Sequence, residues 1–212
     1  MSSRLAALVS CLCLVGALGA MAEPPGRGTL VPIDGRLVDE AGQPIVGAIV
    51  MLSAGREHFS IRSLGKTEQV PLLQPAITDA DGRFAHRWSW DGHHNRFELI
   101  VGVEVRREGR PDFEEIVRRD ITDATASGSP VVLGDWTVRD AGLLRFLVRW
   151  SAGGASAEEA KVFGELGRPD RITAEPDEID AWWYFARGKV YRFQDGGLDQ
   201  VIHFEPVSSS DG

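Results

Sequence analysis

The sequence predicts a mainly β protein, an antiparallel β-sandwich followed by a small α+β module of one helix and a three-stranded antiparallel meander. Three observations carry this. Between Ile33 and Val138, short apolar runs alternate with turn-forming clusters, and no run keeps a helical period. A capping box, Ser156-Ala-Glu-Glu159, follows only after that region. Beyond it, three apolar runs are separated by Gly188-Lys189 and Asp195-Gly196-Gly197, both turn signals.

Residues 23–32 are Pro- and Gly-rich and read as a flexible lead-in. The first strand is expected from about Ile33 to Val38 and the second from about Ile45 to Ser53. Ile45, Val46, Ile49, Val50 and Leu52 supply a largely buried pattern. Asp39 to Pro44 joins the two strands, because Asp, Gly and Pro each favour a bend. Arg56 to Gln74 carries His58, Arg62, Lys66 and Glu68 with little periodicity, and reads as a solvated insertion, with a functional or mobile loop as the less favoured alternative. Asp81-Gly82 is a tight-turn signal. Phe84, His86, Trp88 and Trp90 then alternate with Ala85, Arg87 and Ser89, as on the two faces of a strand. Asp91 to Asn95 is a turn, Phe97 to Val105 a strand, Arg107 to Asp112 a turn around Gly109 and Pro111, and Phe113 to Ile121 the returning strand. Thr122 to Pro130 reads as a small-residue loop, and Val131 to Val138 is a further apolar run at the end of the β unit, which spans 33–139.

The second unit spans 143–206. Leu143 to Trp150 fits a strand or a short helix, since eight residues do not decide periodicity. The capped helix is expected to bury Ala160, Val162, Phe163 and Leu166. Gly167 stops it and Pro169 prevents its resumption. Ala181 to Arg187, Val190 to Gln194 and Leu198 to Phe204 are the meander, and 207–212 is a polar tail expected to be disordered.

Two stretches resemble known families. Gly35-Arg-Leu-Val-Asp39, Gly42-Gln-Pro44-Ile-Val-Gly47-Ala48-Ile-Val50 and Thr78-Asp79-Ala-Asp81-Gly82-Arg-Phe84 resemble the carboxypeptidase regulatory-like domain. That resemblance implies a transthyretin-like sandwich of about seven strands over residues 33–138, with a non-catalytic structural or binding role. The insert between Gly55 and Pro75 departs from the family pattern. Gly154-Ala-Ser156-Ala-Glu-Glu159, Leu166-Gly167-Arg-Pro169-Asp170, Trp183-Tyr184-Phe185 and Phe193-Gln-Asp195-Gly196-Gly-Leu198 are similar to the outer-membrane assembly lipoproteins of the SmpA/OmlA (BamE-like) family. This second resemblance covers about 143–206. It implies an α+β module used for protein contacts in the periplasm; the single helix expected here departs from that family's usual two helices before the strands, and its usual lipidated Cys is a second departure.

Formal charge is −8, and the leader contributes only Arg4 to it. An acidic chain lacks the surplus Lys and Arg that neutralise phosphates, so nucleic acid is excluded as a nonspecific partner. Residues 1–22 read as a signal peptide: Arg4, an apolar run from Leu5 to Leu18, and Ala20-Met21-Ala22 before Glu23. That run is shorter than the ~20 apolar residues of a spanning helix, so no transmembrane segment is expected in the mature chain. Leu8-Val9-Ser10-Cys11 matches a lipobox, with lipid anchoring through Cys11 as the less favoured alternative, because only six residues part Arg4 from Cys11. Cys11 and Cys13 are the chain's two cysteines, so the mature chain has no disulfide framework or thiol nucleophile.

The common catalytic and phosphate-binding signatures are missing, and no catalytic residue or cofactor is expected. Asp79-Ala-Asp81-Gly82 lacks the first acidic ligand and the late Glu of a calcium loop and reads as a turn. His93 and His94 beside Asp91 form the one candidate metal set, because imidazoles and a carboxylate can share an ion, although an exposed polar turn explains them as well. Trp88 with Trp90, and Trp182 with Trp183, are candidate binding residues, with core packing as the competing reading. Trp182 and Trp183 cannot both face one core from a regular strand. The expected function is a non-enzymatic secreted or periplasmic binding or scaffold protein of the bacterial envelope, with another envelope protein as partner. The alternatives are a carbohydrate-binding module using the Trp pairs for an oligosaccharide, and a metal-dependent accessory or cryptic hydrolase using His93 and His94.

Overall fold

The structure, a computed structural model, describes residues 25–60, 65–68, 70–107, 110–175 and 179–207. The expected signal peptide with Cys11, and all of the C-terminal tail except Val207, lie outside the described residues. The chain runs β1 (Leu30–Val38), β2 (Ile49–Gly55), β3 (Glu57–Ser60), β4 (Gly65–Glu68), β5 (Leu72–Ile77), β6 (Arg83–Ser89), β7 (Arg96–Arg107), β8 (Arg110–Asp120), α1 (Thr122–Ala126) and β9 (Val131–Thr137). It continues with α2 (Ala141–Ser151), α3 (Ala157–Leu166), β10 (Arg171–Glu175), β11 (Ile179–Tyr184), β12 (Lys189–Gln194) and β13 (Gly197–His203). The protein is mainly β, a sandwich plus a small α+β module.

Seven of these strands make the sandwich. One sheet has the order β6-β1-β9 and the other β5-β2-β7-β8. All pairs are antiparallel except β1 with β9, which run parallel. The turns are built by aspartates in one repeated way. Asp39 Oδ1 accepts from the backbone N–H of Ala41 and Gln43, and Asp79 Oδ1 accepts from those of Asp81 and Arg83. Asp79 is therefore a turn residue whose carboxylate is spent on its own backbone. Gly82 completes the second turn at φ 74°, and a Cβ there would lie 2.5 Å from the Leu37 carbonyl oxygen.

Several elements differ from the sequence expectation. β2 starts at Ile49 rather than Ile45, because Gly47 takes φ 77° and breaks the ladder, although Ile45 and Ala48 are still buried. The 56–74 insertion holds the β3–β4 hairpin and the start of β5, paired to β2. The 122–130 loop contains the short α1, where Thr125 Oγ1 donates to the Ile121 carbonyl at 2.9 Å. Leu143 to Trp150 is helical, so two helices precede the last sheet. That sheet has four strands, β10-β11-β12-β13, rather than three. β10 offers only one large apolar residue, Ile172, and is held by pairing it opposite Trp182.

Helix α2 joins the two parts. Leu143, Leu144, Phe146 and Leu147 are buried, and α2 packs on β7 on one side and β10 on the other. Val148 fills the space where a Cβ on Gly47 would sit, 3.0 Å away. Arg145 donates to Asp39 Oδ2 at 2.8 Å and to the Pro44 carbonyl at 3.2 Å. Burial opposes ionisation of Asp39, but Arg145 and the turn amides hold its carboxyl below the usual range. One hydrophobic cluster runs from Val31 and Trp88 through Phe146 to Trp182 and Phe193, so the sandwich and the α+β module share a core. Helix α3 has the predicted capping box: Ser156 Oγ accepts from Glu159 N, and the Glu159 carboxylate accepts from Ser156 N. Gly167 ends it at φ 77°.

Candidate functional site

The Asp91–His94 turn is a self-contained hydrogen-bonded unit. Asp91 Oδ1 accepts from the backbone N–H of His93 at 2.8 Å and of His94 at 3.1 Å, and Oδ2 lies 2.6 Å from His94 Nδ1. Burial pushes the Asp91 pKa up, but these bonds outweigh it and hold the carboxyl at about 2. His93 Nδ1 instead lies 2.7 Å from the Arg56 guanidinium, a cation that competes with any metal. The two imidazoles meet edge to face at 5.1 Å, and His94 packs on Trp88. Among the described residues, no three His, Cys, Asp or Glu side chains gather into a metal-binding group.

The tryptophans divide by face. Trp88 is buried, edge-on to Phe97 at 5.4 Å, and Trp90 is half-buried and stacked on the same ring. Trp182 is fully buried against Phe146 (4.4 Å) and Phe193 (4.7 Å). Trp183 lies on the opposite face of β11, near Phe185 and Phe204, and donates to Thr173 Oγ1 at 2.9 Å. Neither Trp pair forms an exposed stacking platform, because one member of each is taken by the core.

A cleft of about 710 Å³ opens between the end of the β7–β8 hairpin and helices α2 and α3. Val105, Leu147, Trp150 and Phe163 contribute apolar lining, and Arg168 reaches Glu114 at 3.4 Å. Ser151 contributes a lining hydroxyl, which donates to the Val148 carbonyl at 2.9 Å.

An exposed apolar strip lies on the four-stranded sheet of the sandwich. In the four-stranded sheet, Val50, Leu52, Leu99 and Val101 point inward and are fully buried. The alternate residues face outward and align in rows across the strands: Ile77, Ile49 and Gly102 opposite Glu115; Pro75, Met51 and Ile100 opposite Arg118; Leu73, Ser53 and Glu98 opposite Asp120. Leu73 is 51% exposed and Ile77 68%. The far side of this face is closed by ion pairs from Glu98 to Arg96 (3.0 Å) and Arg118 (2.8 Å), and from Arg118 to Glu115 (2.8 Å). Sequence reasoning missed this face because β5 begins inside the apparent insertion. Its signal was the alternation Leu73, Pro75, Ile77 ahead of the Asp79 turn.

The edge of β5 is closed to a further strand. Thr78 exchanges its backbone N–H and carbonyl with the Gly47–Ala48 segment. By alternation, Leu73, Pro75 and Ile77 direct their backbone outward, so Pro75 removes the central donor of the free edge.

No family model matches the chain, and no curated protein matches it. Among solved structures, it is similar to a 9R-lipoxygenase from Cyanothece PCC8801 at 16% identity and TM-score 0.37, over 52% of this chain and 16% of that one. It is also similar to a chlorocatechol 1,2-dioxygenase from Pseudomonas putida at 13% identity and TM-score 0.26, over 52% of this chain and 60% of that one. The chain thus spans less than two thirds of either protein. Among the described residues, no helix is long and apolar enough to cross a membrane.

Proposed function

We propose that this chain is a non-catalytic binding protein of the bacterial envelope that docks a protein partner on the outer face of its four-stranded sheet. One observation carries the reading: Leu73 and Ile77 stand exposed beside Ile49 and Met51, apolar side chains in adjoining rows with an ion-paired border. A dry centre with a charged rim is the anatomy of a protein interface. Burying an exposed Leu or Ile there contributes on the order of 1.5–3 kcal/mol each. The proline-blocked edge favours side-chain contact over strand addition. The leader at 1–22 supports export, and the two family resemblances support a non-enzymatic envelope role.

The test is photo-crosslinking in cells with a reactive residue at 73 or 77, and at Val132, which is still more exposed, as a control on the other sheet. The expected result is a discrete adduct from 73 and 77, absent at 132 and competed away by unlabelled wild-type protein but not by the Leu73→Glu, Ile77→Glu variant. Equal labelling at all three positions would sink the reading.

A further inference from the structure

We infer that β13 pairs with β13 of a second copy of this chain about a two-fold axis through Val201. β13 is the last strand of its sheet, and all seven of its residues are exposed. Two other free edges carry features that resist pairing: Pro75 in β5, and Pro111 with a run of charged side chains in β8. β13 has no proline and one formal charge, Asp199, and it exposes Leu198 (38%), Val201 (36%) and Ile202 (39%).

The register says which backbone groups are free. Phe204 N–H donates to the Gly188 carbonyl, so Ile202 and Gln200 also turn their backbone toward β12. Val201 and His203 therefore present N–H and carbonyl to solvent. The Leu198 N–H is already taken by the Glu158 carboxylate. After Phe204 the chain turns away from the edge, because Val207 N–H donates to the Phe185 carbonyl at 3.1 Å.

Antiparallel self-pairing through outward groups can centre on Val201 or on Ile202. Centred on Ile202, it sets Val201 opposite His203 and leaves Asp199 facing the point where the chain has already turned away, without a complementary partner. Centred on Val201, it sets Asp199 opposite His203, a carboxylate facing an imidazole that can donate to it, and Leu198 opposite Phe204. Complementary groups placed opposite each other stabilise a strand pair, so the Val201 register wins. The two four-stranded sheets then form one sheet, with the isologous contact expected of a two-fold dimer.

The test is sedimentation of the purified protein over a concentration series, with disulfide trapping of Val201→Cys. Directly opposed residues of a hydrogen-bonded antiparallel pair have Cα atoms about 5.5 Å apart, within disulfide reach. The expected results are a concentration-dependent dimer, rapid trapping at 201 and none for a Val207→Cys control. Asp199→His and His203→Asp should each weaken dimerisation about tenfold or more, and the double exchange should restore it. A monomer throughout the series would overturn the inference, as would trapping equal at 201 and 207, or a dimer indifferent to both single exchanges.

Discussion

Phe146→Ala tests whether the two parts of the chain are one cooperative unit. Phe146 is 1% exposed, and its ring meets those of Trp150, Phe163 and Trp182 at 5.5, 5.2 and 4.4 Å. Truncation removes apolar area whose transfer contributes on the order of 2 kcal/mol. It also leaves a void of about 100 Å³, which at about 24 cal/mol per Å³ adds ~2 kcal/mol. The expected loss is ~4 kcal/mol, or a fall in Tm of roughly 8–16 °C for a chain of this size. Because α2 packs on both β7 and β10, one transition should carry the whole loss. The assay is urea unfolding followed by far-ultraviolet circular dichroism and by tryptophan fluorescence, since Trp88 reports on the sandwich and Trp182 on the α+β module. Coincident curves displaced together are expected. Two separated transitions, with the sandwich transition unmoved, would refute the shared core.

Other perturbations separate surface from scaffold. Leu73→Glu with Ile77→Glu should change stability by less than about 0.5 kcal/mol in chemical unfolding, because both side chains are exposed, while abolishing partner crosslinking. Gly102→Ala should be severely destabilising, because its Cβ would lie 2.1 Å from the Glu114 carbonyl oxygen; an unchanged urea midpoint would contradict that geometry. Glu159→Ala should cost about 3 kcal/mol in urea unfolding. It removes half of a capping box and the buried partner of Arg149, whereas Glu159→Gln keeps the cap and should cost less. Burial depresses the His86 pKa below its ordinary 6.5, so the unfolded chain binds the proton more readily. The stability this residue confers is complete above pH 6.5 and is lost as pH falls below it, and His86→Leu should flatten that part of a Tm-against-pH profile.

Local chemistry was legible in the residues themselves. Asp39 and Asp79 each close a turn with one carboxylate oxygen, Ser156 and Glu159 cap a helix reciprocally, and Gly167 ends it. These are contacts between near neighbours, so the order of the chain is enough to specify them. The inward alternation of Phe84, His86 and Trp88 was equally plain, because a strand buried on one face writes a period of two.

What was not legible depended on long-range partners. Eight residues at 143–150 suited strand or helix, and only packing between β7 and β10 makes them the helix that joins the two parts. Arg171 to Glu175 is a strand because Trp182 lies opposite Ile172, a fact that lies in β11 rather than in β10. The four tryptophans stood as equal binding candidates in the sequence, and the fold put Trp88 and Trp182 into the core. Leu73, Ile77 and Val201 carry no local mark of function. They became surface features when the order of strands in each sheet left β5 and β13 without an outer neighbour, because exposure belongs to the assembled sheet and not to any residue within it.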